Sequence, residues 1–366
     1  MVDVIQSWLG SRQYAVLDKI VLMPRRVDVL SALSMVSRGE QGSSYYLVDD
    51  DDNGWVLKKF FRETEPDNAY VEAIQAMIPE KTGFESGFGR RVLRTSSVSS
   101  LGYAHPDFQD WIDGTILMPQ VTSPTWAELS VSIREGSAVL SRVERLLLCQ
   151  KLSEMVGWLE SAGLAHRDLS STNVLMDTLN IEIHLIDWDS LFHATLEMPA
   201  NTNCGTDGYI APFVKADGTE CARATWQEDS DRFGLAILNS ELLIMKAGPS
   251  LSGGVISQAD LQNLSGKGSK AFRDDLRHAF PAAVEFLDAA LAARSFAACP
   301  SPSDWINLTE RELASSDQTT WEQESSPVAE VESLYAADYE PHFVDINKSA
   351  FVRIDQTAFV KAPAAR

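Results

Sequence analysis

The order of polar side chains in His166-Arg167-Asp168-Leu169-Ser170-Ser171-Thr172-Asn173, followed by an apolar run and Leu185-Ile186-Asp187-Trp188-Asp189, constrains this chain more than any other feature. Asp168 and Asn173 are expected on a loop between two short strands, with Asp187 at the end of a later strand. Asp187 and Asn173 offer a carboxylate and an amide oxygen, the donors a hard divalent cation prefers. Asp168 adds a third oxygen, suited to orient an incoming hydroxyl and take its proton. Each residue alone is an ordinary turn or strand-end residue. The ordered set reads as a site.

The remaining sequence can bury a core around it. The chain has 366 residues, 45% hydrophobic and 23% charged, and a formal charge of −21 that opposes binding to nucleic acid or anionic lipid. Met1 to Gly10 lacks a signal pattern and no apolar run approaches the roughly 20 residues of a membrane span, so a cytoplasmic protein with no membrane partner is expected. Cys149, Cys204, Cys221 and Cys299 are scattered, and all four are expected as reduced thiols.

Short β-branched and aromatic runs broken by turns extend to about Gln120, with one helical stretch at Asp67 to Met77. Helical spacing begins at Ser141 to Glu160 and dominates to Leu313. Beyond it, acidic residues from Asp317 to Asp345 follow one another with no Lys or Arg between them, the pattern of a solvated linker. The last stretch repeats itself as Ser349-Ala-Phe-Val-Arg353 and Thr357-Ala-Phe-Val-Lys361, two strands or a ribbon for docking a partner.

The string H-R-D-L-S-S-T-N-V-L with the later I-D-W-D resembles the catalytic and metal-binding loops of the protein kinase superfamily, in a divergent, bacterial-type eukaryotic-like serine/threonine form. The resemblance implies an α+β, bilobal fold: an N-terminal extension at 1–24, a β-rich small lobe at 25–120, a helical large lobe at 121–313, and an acidic linker and tail at 314–366. ATP and Mg²⁺ would be the cofactors, with Asp168 as catalytic base and Asn173 and Asp187 as metal ligands. Ser37 to Tyr45 resembles the glycine-rich phosphate loop, with Gly39 and Gly42 approaching ATP. Trp55-Val-Leu-Lys58-Lys59-Phe60 resembles the third-strand lysine motif. Alternation allows only one lysine to face the phosphates without saying which, and the Val-Leu-Lys frame favours Lys58. Glu72 on the following helix would hold that lysine, with Glu65 second. Thr115 to Val121 resembles the strand entering the hinge, with Met118 gating the pocket and adenine on the backbone near Pro119 and Val121.

Cys204-Gly-Thr206-Asp-Gly-Tyr-Ile-Ala-Pro-Phe213 resembles the end of an activation segment, where a protein substrate docks and Thr206 reaches the catalytic aspartate. Ser230-Asp231-Arg232 resembles the helix start whose aspartate braces the catalytic loop. Arg167 would grip a phosphate on Thr195 or Thr202 after self-phosphorylation. Four positions depart from the family: Ser170 stands for a lysine, Asp189 for the glycine after Asp-Trp, Ser37 for a loop glycine and Phe213 for a glutamate. Cys299 stands for the arginine that pairs with that glutamate, so an apolar contact is expected there. Asp189 removes a flexible glycine, and a less mobile Asp187 is expected. The function implied is transfer of the ATP γ-phosphate to Ser or Thr of a protein; a nucleotide-binding pseudokinase scaffold and a small-molecule phosphotransferase are the alternatives.

Overall fold

The computed structural model describes residues 4–26, 36–38, 41–62, 65, 67–199, 202–214, 218–244 and 267–315. Gly39 and the C-terminal repeat lie outside them. The chain divides into two units, the first running to Thr122 and the second beginning at Ser123.

The first unit is an antiparallel sheet built on alternation. In β4 (Gly42–Asp49) and β5 (Gly54–Phe60), Tyr45, Leu47, Trp55 and Leu57 share one face and join its core. The core continues through Leu17 and Leu22 of β1 (Ala15–Leu17) and β2 (Ile20–Pro24) and Leu117 of β8 (Ile116–Pro119). With β6 (Arg91–Val92) and β7 (Val98–Gly102) the strand order is β6-β8-β5-β4-β2-β1-β7, and β3 (Val36–Arg38) pairs with β4. Full burial of each leucine contributes roughly 2 kcal/mol.

Residues 4–24 pack into this sheet. Helix α1 (Val4–Ser11) buries Ile5, Trp8 and Leu9 in this core, and β1 lies inside the sheet between β2 and β7. Asp18 and Lys19, both at positive φ, form the two-residue turn that pairs Leu17 with Ile20. Helix α2 (Asn68–Met77) starts where the Asp67 side chain caps the Ala69 amide, and its buried stripe is Tyr70, Val71 and Ile74. Two short helices follow, α3 (Glu85–Phe88) and α4 (Phe108–Ile112).

Asp49 fixes the turn between β4 and β5. Its carboxylate accepts from the amides of Asp51 and Asn53, from Asn53 Nδ2 and from Trp55 Nε1, at 2.8 to 3.1 Å. The Trp55 bond, helped by the Asn53 and Asp51 contacts and opposed by burial, holds this carboxyl below its ordinary value. A depressed carboxyl stabilises the fold above its unfolded pKa and loses that contribution as pH falls through the folded one. The stability difference between the natural chain and Asp49→Asn is therefore expected to shrink in denaturant melts taken progressively below about pH 4. A difference independent of pH would contradict this assignment.

The second unit is mainly helical. Helix α5 (Trp126–Arg134) and the long α6 (Arg142–Ser161) each open with a capping box, Thr125 with Glu128 and Ser141 with Glu144. After α7 (Gly218–Ala224) comes α8 (Asp231–Ile244), buried on all sides from Phe233 onward, as expected of a helix apolar around its circumference. Helices α9 (Lys267–Ala279), α10 (Pro281–Ala292) and α11 (Pro302–Ser315) complete it, and α6 packs between α8 and α11. A mixed α+β architecture results, a β-rich unit followed by a helical one, as the bilobal reading requires. Among the described residues no helix is long and apolar enough to cross a membrane.

Candidate active site

Four short strands position the polar loop. Strands β10 (Val174–Asp177) and β11 (Glu182–Leu185) form a hairpin, and β9 (Leu164–Ala165) pairs with β12 (Phe192–His193). The β9–β10 loop carries His166 to Asn173, and the β11–β12 connection carries Ile186 to Leu191. Hairpin pairing ends at Val174 opposite Leu185, and the Ile186 amide then donates to the Asn173 carbonyl at 3.0 Å. Asn173 and Asp187 are thereby brought to the same end of one hairpin. Asn173 Nδ2 donates to the Asp168 carbonyl at 2.9 Å and to Asp168 Oδ2 at 3.1 Å. Thr206 Oγ1 donates to Asp168 Oδ1 at 2.8 Å. Asp168, Asn173 and Thr206 thus form one hydrogen-bonded set, with Asp187 beside the end of the same hairpin.

The loop backbone is braced from beneath. Asp231 at the start of α8 accepts from the His166 amide at 2.6 Å and the Arg167 amide at 2.7 Å. Burial pushes its carboxyl up, and His166, Arg167 and these two amides pull it back. His166 Nε2 faces the Ile186 carbonyl at 2.9 Å and must carry the proton; Nδ1 then accepts from the Asp168 amide at 3.4 Å. The imidazole ties both halves of the site together. Arg167 and Asp187 hold left-handed backbone, φ 68° and 64°, a conformation that costs a non-glycine residue roughly 1 kcal/mol and collects at functional sites. Buried Trp188 leans on His166, and Trp188–Ser190 forms a 3₁₀ turn directly after Asp187.

Two expectations are corrected here. Arg167 is not held ready for a phosphate: it is 4% exposed and donates to the carbonyls of Ser190, Asn203, Ala222 and Thr225 and to Thr225 Oγ1. Cys204 and Cys221 are not separate thiols, because their sulfurs lie within bonding distance. Cys149 and Cys299 remain buried thiols, and burial pushes Cys299 up to about 12. Phe213 packs edge-to-face on Phe296, centroids 4.9 Å apart, with buried Cys299 three residues on, so the contact there is apolar. Ser170 is fully buried, its hydroxyl 3.0 Å from that of Thr172. Thr195 is exposed beside His193, and the Thr202 hydroxyl is buried.

In the first unit, Lys59 shares the core face with Leu57; its Nζ donates to the Asp113 carbonyl at 2.7 Å and lies over Trp111. Burial lowers its pKa against the pull of Glu65 and Asp113. Lys58 therefore stands on the opposite face, with Val56 and with Met118, the strand partner of Val56. Gly42 sits opposite Phe60, where a Cβ would meet the Lys59 carbonyl oxygen at 2.3 Å, so close strand packing demands glycine. Pro119 ends β8 and Val121 follows it. Glu72 points away from the buried stripe of α2, exposed, and its carboxylate meets Arg94 Nη2 at 2.6 Å.

Sequence reasoning missed Glu241. It is fully buried in α8 and accepts from Trp126 Nε1 and from the Tyr209 hydroxyl, each at 3.0 Å, anchoring the segment that carries Thr206. A glutamate inside the apolar run Leu238-Asn-Ser-Glu-Leu-Leu-Ile244 was its available signal.

With this arrangement in view, similarity to known proteins becomes informative. No protein-family model matches the chain. A stretch of 75 residues is 36% identical to the phosphorylase b kinase gamma catalytic chain, liver/testis isoform, of Mus musculus, and equally to those of Homo sapiens and Bos taurus. The stretch is similar to part of a protein kinase catalytic chain. It covers 20% of this chain, which spans about a fifth of the length of the curated relatives it matches, 18% of each. That likeness supports the protein kinase superfamily at most.

Proposed function

We propose that this chain is an ATP- and magnesium-dependent protein kinase that transfers the γ-phosphate to serine or threonine hydroxyls. The observation that carries it is the convergence of Asn173 and Thr206 on Asp168, with Asp187 at the adjacent hairpin end. In this reading Asp168 orients the hydroxyl and takes its proton, and Thr206 fixes the carboxylate rotamer, which favours Ser/Thr acceptors.

Asn173 spends its Nδ2 on Asp168, which leaves Oδ1 for a cation; with the Asp187 carboxylate this is a hard-oxygen pair fitting magnesium. Bound there, magnesium supplies charge neutralisation for the nucleotide phosphates. Among the described residues no group of three or more His, Cys, Asp or Glu side chains forms a metal cage, so two protein donors plus phosphate oxygens would have to suffice. Lys58 would hold the α and β phosphates, with Val56 and Met118 available to the adenine and the backbone near Pro119 and Val121 available to its edge. Gly42 would border the phosphate loop. Glu72 is left outside the machinery because Arg94 occupies its carboxylate, and Thr195, being exposed, is favoured over Thr202 for self-phosphorylation.

Transfer from γ-labelled ATP to a mixed protein substrate, followed by phosphoamino acid analysis, tests the reading. Label is expected on serine and threonine. Lys58→Ala is expected to lower the rate about 100-fold or more, whereas Lys59→Ala keeps the rate and lowers the melting temperature. Equal losses from both, or label on small hydroxylated metabolites alone, would contradict the assignment.

A further inference from the structure

One nitrogen of Arg167, Nη2, donates to the Asn203 carbonyl at 3.2 Å, the Ala222 carbonyl at 3.1 Å and Thr225 Oγ1 at 2.7 Å. The neighbours of the first two acceptors are Cys204 and Cys221. Their sulfurs lie within bonding distance and their Cα atoms are 5.5 Å apart, across a sequence separation of 17. A guanidinium nitrogen and a sulfur pair therefore join the same two backbone stretches. Two residues beyond Cys204, the Thr206 hydroxyl reaches Asp168, and Gly205 between them has φ +107° where a Cβ would stand 3.3 Å from the Arg167 carbonyl oxygen. Only Gly205 separates Cys204 from the residue whose hydroxyl bonds Asp168.

We propose that Cys204 and Cys221 form a reversible disulfide that holds Thr206 on Asp168, so that the thiol state of this pair sets the rate of phosphoryl transfer. The inference rests on the phosphotransferase reading above. It also explains why Arg167 can be spent on main-chain carbonyls: the segment is held by sulfur and backbone contacts where a phosphate would otherwise be needed. In a reducing compartment a bond of this kind is a transient, sensing one. Opening it takes two electrons and two protons from a dithiol. A thiolate of the dithiol attacks Cys204, the more exposed of the two, and Cys221 leaves as a thiolate and takes a proton. The second thiol of the reductant then attacks the mixed disulfide, releasing Cys204 as a thiol and the reductant as a cyclic disulfide. Closure is the reverse exchange with an oxidised dithiol.

The test uses the full chain equilibrated with dithiothreitol or with its oxidised cyclic form, followed by removal of the reagent. Three quantities are read in each state: disulfide linkage by peptide mass mapping, amide hydrogen exchange over 203–210, and transfer from γ-labelled ATP. Oxidised protein is expected to contain the Cys204–Cys221 linkage. Reduction should accelerate exchange over 203–210 and lower the rate several-fold, with recovery on reoxidation. Cys204→Ser and Cys221→Ser should each stay at the reduced rate and ignore both reagents; the comparison of states in the natural chain does not depend on these variants folding. Absence of the linkage under oxidising conditions, or an active enzyme whose rate is the same in both states, would overturn the proposal. Exchange that follows the thiol state while neither state transfers phosphate would support the disulfide clamp and count against the phosphotransferase reading.

Discussion

Asp168→Asn is expected to lower phosphoryl transfer by about 10²–10⁴-fold, the usual worth of a positioned general base, while the dissociation constant for ATP changes little. The substitution removes the proton acceptor with small disturbance to the loop. Asn173 Nδ2 keeps its bond to the residue 168 carbonyl, since that acceptor is main chain. An asparagine side chain has one oxygen, so it can accept from Thr206 or from Asn173 but not from both, as the two carboxylate oxygens now do. The loss should therefore fall on kcat. Steady-state transfer combined with calorimetric titration of ATP separates the two quantities. A kcat within tenfold of the natural chain would remove Asp168 from the role of base.

Asp231→Ala is expected to destabilise the protein by roughly 2–6 kcal/mol, because two buried amide donors lose their acceptor and each orphan costs about 1–3 kcal/mol. Those donors belong to His166 and Arg167, at 2.6 and 2.7 Å, immediately before Asp168. Burial of the carboxyl itself opposes part of this, since its charge is disfavoured there. Asp231→Asn retains one acceptor and should lose about half as much. Urea unfolding monitored by far-ultraviolet circular dichroism measures both variants. A loss below about 1 kcal/mol for the alanine variant would mean that water or another group replaces the carboxylate.

The site was legible where its chemistry leaves side-chain marks at fixed spacing. Asp168 and Asn173 share one short loop, and Asp187 follows the strand that pairs with the one after that loop, so sequence separation limits how far apart they can stand. Asp231 followed from the resemblance and performs the expected bracing. The Arg167 clamp was illegible for a definite reason: its acceptors are mainly carbonyl oxygens, which every residue possesses, so no residue type records them. Cys204 and Cys221 read as scattered because only the return of α7 beside the segment brings them together. Glu72 is the opposite case. The stripe of Tyr70, Val71 and Ile74 could be read from helical periodicity, and that period places Glu72 on the far side of α2.

The same split holds for the fold. The division into a β-rich and a helical part follows from periods of two and 3.6 residues. Helix α1 and strand β1 were missed because the strand is only Ala15–Leu17 and its turn uses Asp18 and Lys19 where glycine or asparagine would have signalled a hairpin.

The most direct measurement of the central claim is single-turnover transfer from γ-labelled ATP by the natural chain and by Asp187→Asn, each across a magnesium titration with nucleotide saturating. The account predicts transfer that vanishes on chelation and is restored by magnesium in the natural chain, and a large loss with a raised magnesium requirement in the variant. Folded, ATP-saturated natural protein that transfers no label at any magnesium concentration, or a variant with an unchanged magnesium dependence, would contradict it.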